Sequence, residues 1–593
     1  MASKKSAVRS RLAPPQKLTA NLLAVLASCC VSIASAAPFG DIVFFNGAVY
    51  TVDTARSWAS ALVVTGDHIS YVGDDAKAKA FIGPNTRAID LQRRMLLPGF
   101  QDSHVHPTTV ANPATALDLF GLTTRDQIFD RIRQYAKYHP EKKWIVGQGW
   151  DEGAFLPSGQ PTKEMLDALV PVRPVYIPNK PGHASWVNSA ALKAAHITDQ
   201  TPDPPNARLE RDSQGHLTGV LHETNAQELV RSVIPPLSVD DRVVDLKASL
   251  DLMSRLGVTS LMDAMVTPEI AETYQAMDKR GILHIRSTLC LRYSSDEDDN
   301  VQFKRFVDER SAIIGHRIRA PCVKIYTDGS YGSHTIALLQ PYSDDPQKFG
   351  TGMLFVDPER LKRVVTHLDA ADFQVHLHAT GDRAVRTALD ALADARRQNG
   401  IRGNRDTIAH LALIDPTDIP RFRTLGVIAN MSPFWSMNDP WEAVFAPRLF
   451  GPERTSHNYP MRSLLDTGAI VVWGSDWPVS SVSPLDGIET ATTHRYPGGK
   501  DPGGKEDQVF NPGQRLSLEQ AIVAYTSAGA YLLQDEAVRG TLEVGKFADL
   551  VVLDRNLFEI SPFDIHHAKV DMTIVDGQVV YTRIASEANQ MGK

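Results

Sequence analysis

The sequence predicts an α/β protein: a (β/α)8 barrel accompanied by a small β-sandwich formed from both chain ends. Three observations lead there. Short apolar runs alternate with helical stretches between about residues 96 and 534, as parallel β/α units do. β-rich segments without intervening helices precede this region and return after it. Histidines, a lysine and an aspartate recur where the apolar runs end, and parallel β/α folds gather function at the carboxyl ends of their strands.

The chain opens on a targeting segment. It is basic as far as Lys17, apolar from about Leu18 to Ile33, and ends in the small-x-small pattern Ala34-Ser35-Ala36, which together make a secretory signal. The apolar run is too short for an ordinary membrane span. Cleavage after Ala36 and an exported protein, periplasmic or secreted, are expected. Leu26-Ala27-Ser28-Cys29 offers a competing lipoprotein box, with a lipid anchor on Cys29. The expected organisation is signal peptide 1–36, first sandwich part 37–95, barrel with insertions 96–534, and second sandwich part with tail 535–593. The 593 residues are 43% hydrophobic and 22% charged, an ordinary globular composition with room for more than one structural unit. Without the leader's five basic residues the net charge moves from −7 to −12, with 57 basic against 69 acidic residues. An acidic chain lacking a basic stripe is a poor nucleic-acid binder.

Residues 41–50, 60–65 and 68–72 read as strands, with Asn-Gly and Gly-Asp turn signals among them. Residues 548–553, 572–575 and 578–581 read likewise, the last two flanking Asp576-Gly577. Both ends are therefore expected in one sandwich. Between them lie strand candidates at 96–100, 144–147, 175–178, 258–262, 284–289, 323–327, 374–378, 407–410, 427–430 and 470–473, with helices including 241–255, 358–371 and 384–397. That is about two strands more than a barrel needs, so some belong to insertions. The Pro-rich stretch 201–222 looks like one, and 496–514 is an irregular loop. Cys29 and Cys30 fall in the leader; Cys290 and Cys322 sit in apolar strand-like stretches. A disulfide suits an exported protein, but two buried free thiols are the preferred reading.

The stretch Leu96-Leu97-Pro98-Gly99-Phe100-Gln101-Asp102-Ser103-His104-Val105-His106-Pro107 organises the rest. On a strand His104 and His106 share a face, and two imidazoles one pleat apart suit a zinc-like ion. A lone His-x-His is weak evidence. Here it has company: Lys324 in CVKIYTDGS, His378 in VHLHATGDR, His410 in IAHL and Asp476 in WGSDWPV. Each has a bland explanation alone, the aspartate as a helix cap for example. A lysine inside an apolar strand is harder to dismiss, because burying an unpaired ammonium is expensive.

The stretches PGFQDSHVHP, KIYTDGS, HATGDRA and WGSDWPV resemble the amidohydrolase superfamily, specifically its YtcJ-like branch, amidohydrolase family 3, which includes N-substituted formamide deformylases. The resemblance runs from about Asp41 to Tyr581. It implies a metal-dependent hydrolase barrel with two divalent ions, Zn by ligand type. His104, His106 and Asp476 would hold the first ion, and His378 and His410 the second. Lys324, carboxylated on its amine, would bridge them. His376 shares a strand face with His378, so alternation leaves both open, and motif position favours His378. The implied reaction is attack of metal-activated hydroxide on an amide-like, non-peptide C–N substrate of small size, with Asp476 as general base and then acid. Asp102 is a candidate for orienting a ligand.

Trp150, His183, Asp328 and Arg383 sit in loops after strands and are candidate substrate contacts. Trp435, Trp441 and Trp477 suggest a partly apolar pocket. His334 and Ala409 stand where the family pattern often has Arg and Glu, departures that leave the metal ligands intact. Two other readings stand beside this one: a mononuclear deaminase of the same superfamily, and a non-catalytic envelope binding protein. Ser517-Leu518-Glu519-Gln520 reads as a helix capping box, and the acidic run 295–299 as a solvated loop.

Overall fold

The computed structural model describes residues 39–109, 116–156, 159–439, 441–500 and 508–583; the leader, the Cys29 box and the Ala36 site lie outside the described residues. Eight strands form one parallel sheet: β1 (Phe100–Val105), β2 (Val258–Val266), β3 (Arg286–Arg292), β4 (Ile318–Tyr326), β5 (Gln374–Ala379), β6 (Thr407–His410), β7 (Ile428–Met431) and β8 (Val471–Trp473). They pair in chain order. The seam between β8 and β1 is bridged by backbone bonds. Asp476 N–H donates to the His104 carbonyl at 2.8 Å, and His106 N–H to the Trp477 carbonyl at 2.9 Å. Asn430 Nδ2 adds a bond to the Ser103 carbonyl at 2.8 Å.

Alternation sorts the side chains. Val323, Ile325, Val375 and Leu377 face outward into the core shared with helices Pro358–Ala370 and Asp382–Asn399. Met262, Cys290, Cys322, Ile428 and Val472 face inward and make an apolar floor with Leu532 and Leu533. One pleat above that floor, Lys324 lies opposite His376; one pleat higher, Tyr326 lies opposite His378. The same period thus gives a dry base and a polar upper layer.

The structure corrects several expectations. Cys290 and Cys322 form a disulfide, because the β3–β4 register sets them directly opposite each other with Cα atoms 4.3 Å apart. Register is a long-range property that the two separate stretches do not reveal. The expected strand 96–100 is broken at Gly99. Met95–Pro98 joins the sandwich and the barrel starts at Phe100. A Cβ at Gly99 would come within 2.2 Å of the Thr259 side chain, so only glycine allows this crossing. The two surplus strands belong to a separate six-stranded sheet. Its order is Arg208–Arg211, Leu217–His222, Ala184–Val187, Val175–Pro178, Ile145–Gln148, Leu117–Asp118. The insertion is therefore far larger than 201–222, with its own core around Ile128, Trp150, Phe155 and Trp186.

The sandwich joins the chain ends. Leu550–Leu553 runs antiparallel to Met95–Pro98, with Leu550 opposite Pro98 and Leu553 opposite Met95. Ala48–Tyr50, Val570–Val575 and Gln578–Thr582 extend this sheet. A four-stranded sheet containing Ile42–Phe45 and Ala61–Thr65 packs on it through Phe44, Leu62, Leu96, Val552 and Ile574. Ser517 and Gln520 form the expected capping box of helix Leu518–Tyr525. Asp298 caps helix Asp299–Ala312, a structural use of the acidic run. Among the described residues, no helix is long and apolar enough to cross a membrane.

Charged groups latch the returning chain end to the barrel. Asp549 Oδ2 accepts from Arg286 Nε at 2.9 Å, and Asp576 Oδ2 from Arg317 Nε at 3.0 Å. Asp549 Oδ1 also accepts the Asp576 N–H at 2.9 Å. Removing one partner of such a buried network strands the other charge. Asp549→Ala is expected to cost about 3 kcal/mol, read as a lower unfolding midpoint in denaturant; an unchanged midpoint would show that the latch contributes nothing.

Candidate metal centre and its cleft

Five strand ends converge on one polar layer. β1 supplies His104 and, one residue past its end, His106; β4 supplies Lys324; β5 supplies His376 and His378; β6 ends in His410; Asp476 follows β8. Asp476 Oδ1 lies 3.4 Å from His104 Nε2 and 3.2 Å from His106 Nε2, and its Oδ2 lies 3.9 Å from His410 Nδ1. Lys324 Nζ is 3.3 Å from His104 Nε2. His104 Nδ1, on the far side of the same ring, is 2.8 Å from His376 Nε2. The rings of His378 and His410 stand 4.2 Å apart. His378 Nε2 also lies 3.1 Å from the Gly329 carbonyl and 3.2 Å from Thr380 Oγ1. His410 and Asp476 hold left-handed backbone, with φ of 80° and 52°, a conformation seldom kept by such residues without a reason.

Burial sets the charge states. Desolvation holds the His104, His376, His378 and His410 imidazoles well below their ordinary range, and Lys324 adds to the effect in each. Neutral rings keep a lone pair for a ligand. Desolvation likewise brings the Lys324 amine down to about 7. Asp102 is raised to about 6 by burial, although Ser475 donates from both N–H (3.0 Å) and Oγ (2.6 Å). It ties β1 to the loop that carries Asp476, a bracing position.

The donor set fits a divalent metal. His104, His106 and Asp476 each offer a ligand atom, all within 4.8 Å of one another. Buried ring nitrogens of His106, His376 and His410 lack a hydrogen-bond partner, an arrangement that is costly without something to bind. Imidazole nitrogens with one carboxylate suit an ion of borderline softness.

A cleft opens above this layer. His378, His410 and Asp476 lie in its floor, and His183, Trp435, Tyr459 and Glu442 are among its walls. Trp435 stacks on His410 with centroids 5.6 Å apart. Of the four candidate substrate contacts Trp150, His183, Asp328 and Arg383, His183 lines the cleft. Its Nδ1 meets Glu223 Oε2 at 2.7 Å, and Glu223 Oε1 accepts from Thr335 Oγ1 at 2.5 Å. Burial pulls the His183 ring down, but the Glu223 carboxylate, together with those of Asp476 and Asp328, outweighs it and leaves the ring above its ordinary value. Trp150 is fully buried against Phe155 and Trp186 in the insertion, its Nε1 bonded to the Ile177 carbonyl. Arg383 braces the Thr351 and Gly352 carbonyls at 2.9 and 3.1 Å. Asp328 is buried beneath the rim, where it accepts the Ala337, Thr380 and Gly381 N–H groups. Burial raises it to about 7. These three therefore hold structure rather than wall the cleft. Trp477 packs partly buried against the barrel core, and the Trp441 side chain lies outside the described residues.

Glu223 and Glu442 were not singled out from the sequence. Glu223 reaches His183 only because the insertion pairs Ala184 with His222; its left-handed φ of 66° is equally invisible in a string of letters.

A family model described as the amidohydrolase family matches residues 87–581. The chain is 29% identical over 548 residues to the putative amidohydrolase YtcJ of Bacillus subtilis, covering 91% of this chain and 99% of that protein. It is 27% identical over 559 residues to the N-substituted formamide deformylase of Arthrobacter pascens, covering 92% and 99%. Its fold is similar to that of an uncharacterized metal-dependent hydrolase from Pyrococcus horikoshii, with a TM-score of 0.69, 25% identity, and 88% and 99% covered.

The seam leaves no room beside His104. A Cβ at Gly474 would sit 2.4 Å from His104 Cβ and 2.8 Å from Asn430 Oδ1. Gly474→Ala is expected to cost about 1–3 kcal/mol through overpacking and to reduce metal retained per chain. Wild-type stability and metal content would show that the seam tolerates a shift.

Proposed function

Because the chain belongs to the amidohydrolase family, in its YtcJ-like branch, we propose that this metal-dependent hydrolase cleaves an amide-like bond of a small molecule at a two-ion centre. N-formyl amines head the substrate classes, a reading supported by the similarity to the formamide deformylase. The observation that carries the proposal is the convergence of His104, His106 and His410 on Asp476, with Lys324 beside His104, under an open cleft.

His104, His106 and Asp476 would hold one ion and His378 and His410 the other, both zinc by ligand type. Divalent ions there supply Lewis acidity and lower the pKa of water toward ~7. The chain's own residues do the rest. Asp476 takes a proton from the attacking water and returns it to the departing nitrogen, as base and then acid. Water's oxygen bonds to the carbonyl carbon, the C–N bond breaks, and an acid and an amine leave. His376, bonded to His104 Nδ1 and absent from the cleft lining, orients that ring; His378, which lines the cleft, is the better placed to be the ligand. An amine held near 7 by burial is partly neutral at physiological pH, which supports addition of the Lys324 amine to CO2 with loss of a proton to solvent; the resulting carbamate would be a further anionic ligand. One observation favours a single ion instead: the compact trio of His104, His106 and Asp476 needs no bridge.

Export is proposed on the leader pattern, with cleavage after Ala36. The Cys290–Cys322 disulfide supports it, since such bonds persist in oxidising compartments.

Metal content of the purified protein tests the centre. About two ions per chain are expected, falling in His104→Asn and in Lys324→Ala, with activity on formamides lost in both. One ion, unaffected by Lys324→Ala, would select the single-ion centre. No metal and no amide cleavage would overturn the proposal.

A further inference from the structure

The cleft has a second polar end that the hydrolytic chemistry does not use. Its aromatic wall steps away from the metal layer: His410 to Trp435 at 5.6 Å between ring centroids, then Trp435 to Tyr459 at 6.4 Å. The Tyr459 hydroxyl lies 3.5 Å from that of Tyr331. Asn458 Nδ2 reaches Tyr331 at 3.4 Å and donates to Glu442 Oε2 at 2.8 Å. Glu442 lines the same cleft and is 3% exposed; the Tyr331 and Tyr459 hydroxyls also act on its carboxyl, and its Oε1 is left without a hydrogen-bond partner. It sits in a single π-helical turn, Trp441–Phe445, a local irregularity common at functional sites.

An orphaned carboxyl oxygen in a desolvated wall is costly unless a ligand satisfies it. Burial, with the neighbouring Asp439 carboxylate, raises Glu442 to about 8, so the unliganded cleft keeps the group largely neutral near pH 7. Asp439 also lines this part of the cleft. The lysine in the lining, Lys180, turns its ammonium toward Asp151, 3.9 Å away. Ring faces attract a cation, and an ammonium placed at Glu442 Oε1 would favour loss of that carboxyl's proton, because a neighbouring positive charge stabilises the carboxylate.

We propose that Glu442 forms a distal subsite for a cationic nitrogen, so that the preferred substrates are N-acyl amines carrying a second, positively charged amine beyond an apolar spacer. This deepens the amide-hydrolase reading and takes its substrate orientation from it. The scissile bond lies over Asp476, the spacer along Trp435 and Tyr459, and the ammonium against Glu442 Oε1.

Direct binding tests the subsite without turnover. Calorimetry would compare 3-phenylpropylamine with the isosteric 3-phenylpropan-1-ol, on wild type and on Glu442→Gln checked for an unchanged melting curve. Expected is an amine preference of at least about tenfold in wild type, lost in the variant. Equal binding of amine and alcohol by wild type, or a preference that survives in Glu442→Gln, would overturn the proposal, and the wild-type comparison stands even if the variant fails to fold. Turnover of N-formyl-1,6-diaminohexane against N-formylhexylamine separates the two readings. Amine-selective binding with neither formamide cleaved keeps the subsite and counts against the formamide reading; the diamine derivative cleaved with at least about tenfold higher kcat/KM supports both.

Discussion

The seam between β1 and β8 is the constraint on which the site depends. A barrel must close, and here the closing contacts are made by the residues that carry the chemistry. The backbone of Asp476 donates to His104 and the backbone of His106 donates to Trp477. Asp102 accepts from Ser475 on the opposite side of the seam. The carboxylate and the two histidines are thus fixed by the bonds that complete the fold. The left-handed φ of Asp476 follows: the chain must turn within three residues of the last strand, which ends at Trp473, to bring its carboxylate back over β1. Strain of this kind persists only where the surrounding structure imposes it.

Burial does the next part. An amine and four imidazoles in a desolvated layer would repel each other if charged, and each is pushed toward its neutral form. Neutral nitrogens close together with unsatisfied lone pairs make a poor core but a good ligand set. The apolar floor of Met262, Cys290, Cys322, Ile428 and Val472 directly below keeps water from reaching the layer from underneath. The stabilising parts of the barrel and its reactive parts are successive pleats of the same strands.

How much of this is legible in the sequence depends on the range of the interaction. His104 and His106 announce themselves because alternation is local. Lys324 announces itself because a lysine among Cys, Val, Ile and Tyr has no cheap structural explanation. The eight barrel strands appear as apolar runs, and the two surplus runs mark an insertion. Long-range register is not written locally. The Cys290–Cys322 bond, the break at Gly99 forced by Thr259, and the meeting of Glu223 with His183 all depend on which strands become neighbours. Trp150 and Arg383 mislead for the converse reason: a polar or aromatic residue after a strand looks the same in sequence whether it faces a cleft or braces a loop.

The insertion separates the walls of the cleft from the layer that carries the ligand-type residues. The metal layer is built from the ends of β1, β4, β5, β6 and the turn after β8, all fixed by the barrel itself. The cleft walls come from elsewhere. Lys180 and His183 are delivered by the insertion sheet, and Trp435, Asp439 and Glu442 by the segment between β7 and β8. These walls meet the ligand layer through ring contacts, Trp435 stacking on His410 and His183 lying 5.5 Å from His378 between ring centroids. The glutamates differ accordingly. Glu223 has both oxygens engaged, one by His183 and one by Thr335, and so serves to orient. Glu442 has one oxygen unengaged, and a group left unsatisfied at the far end of an aromatic wall is where such a cleft can discriminate between substrates without disturbing the centre that cleaves them.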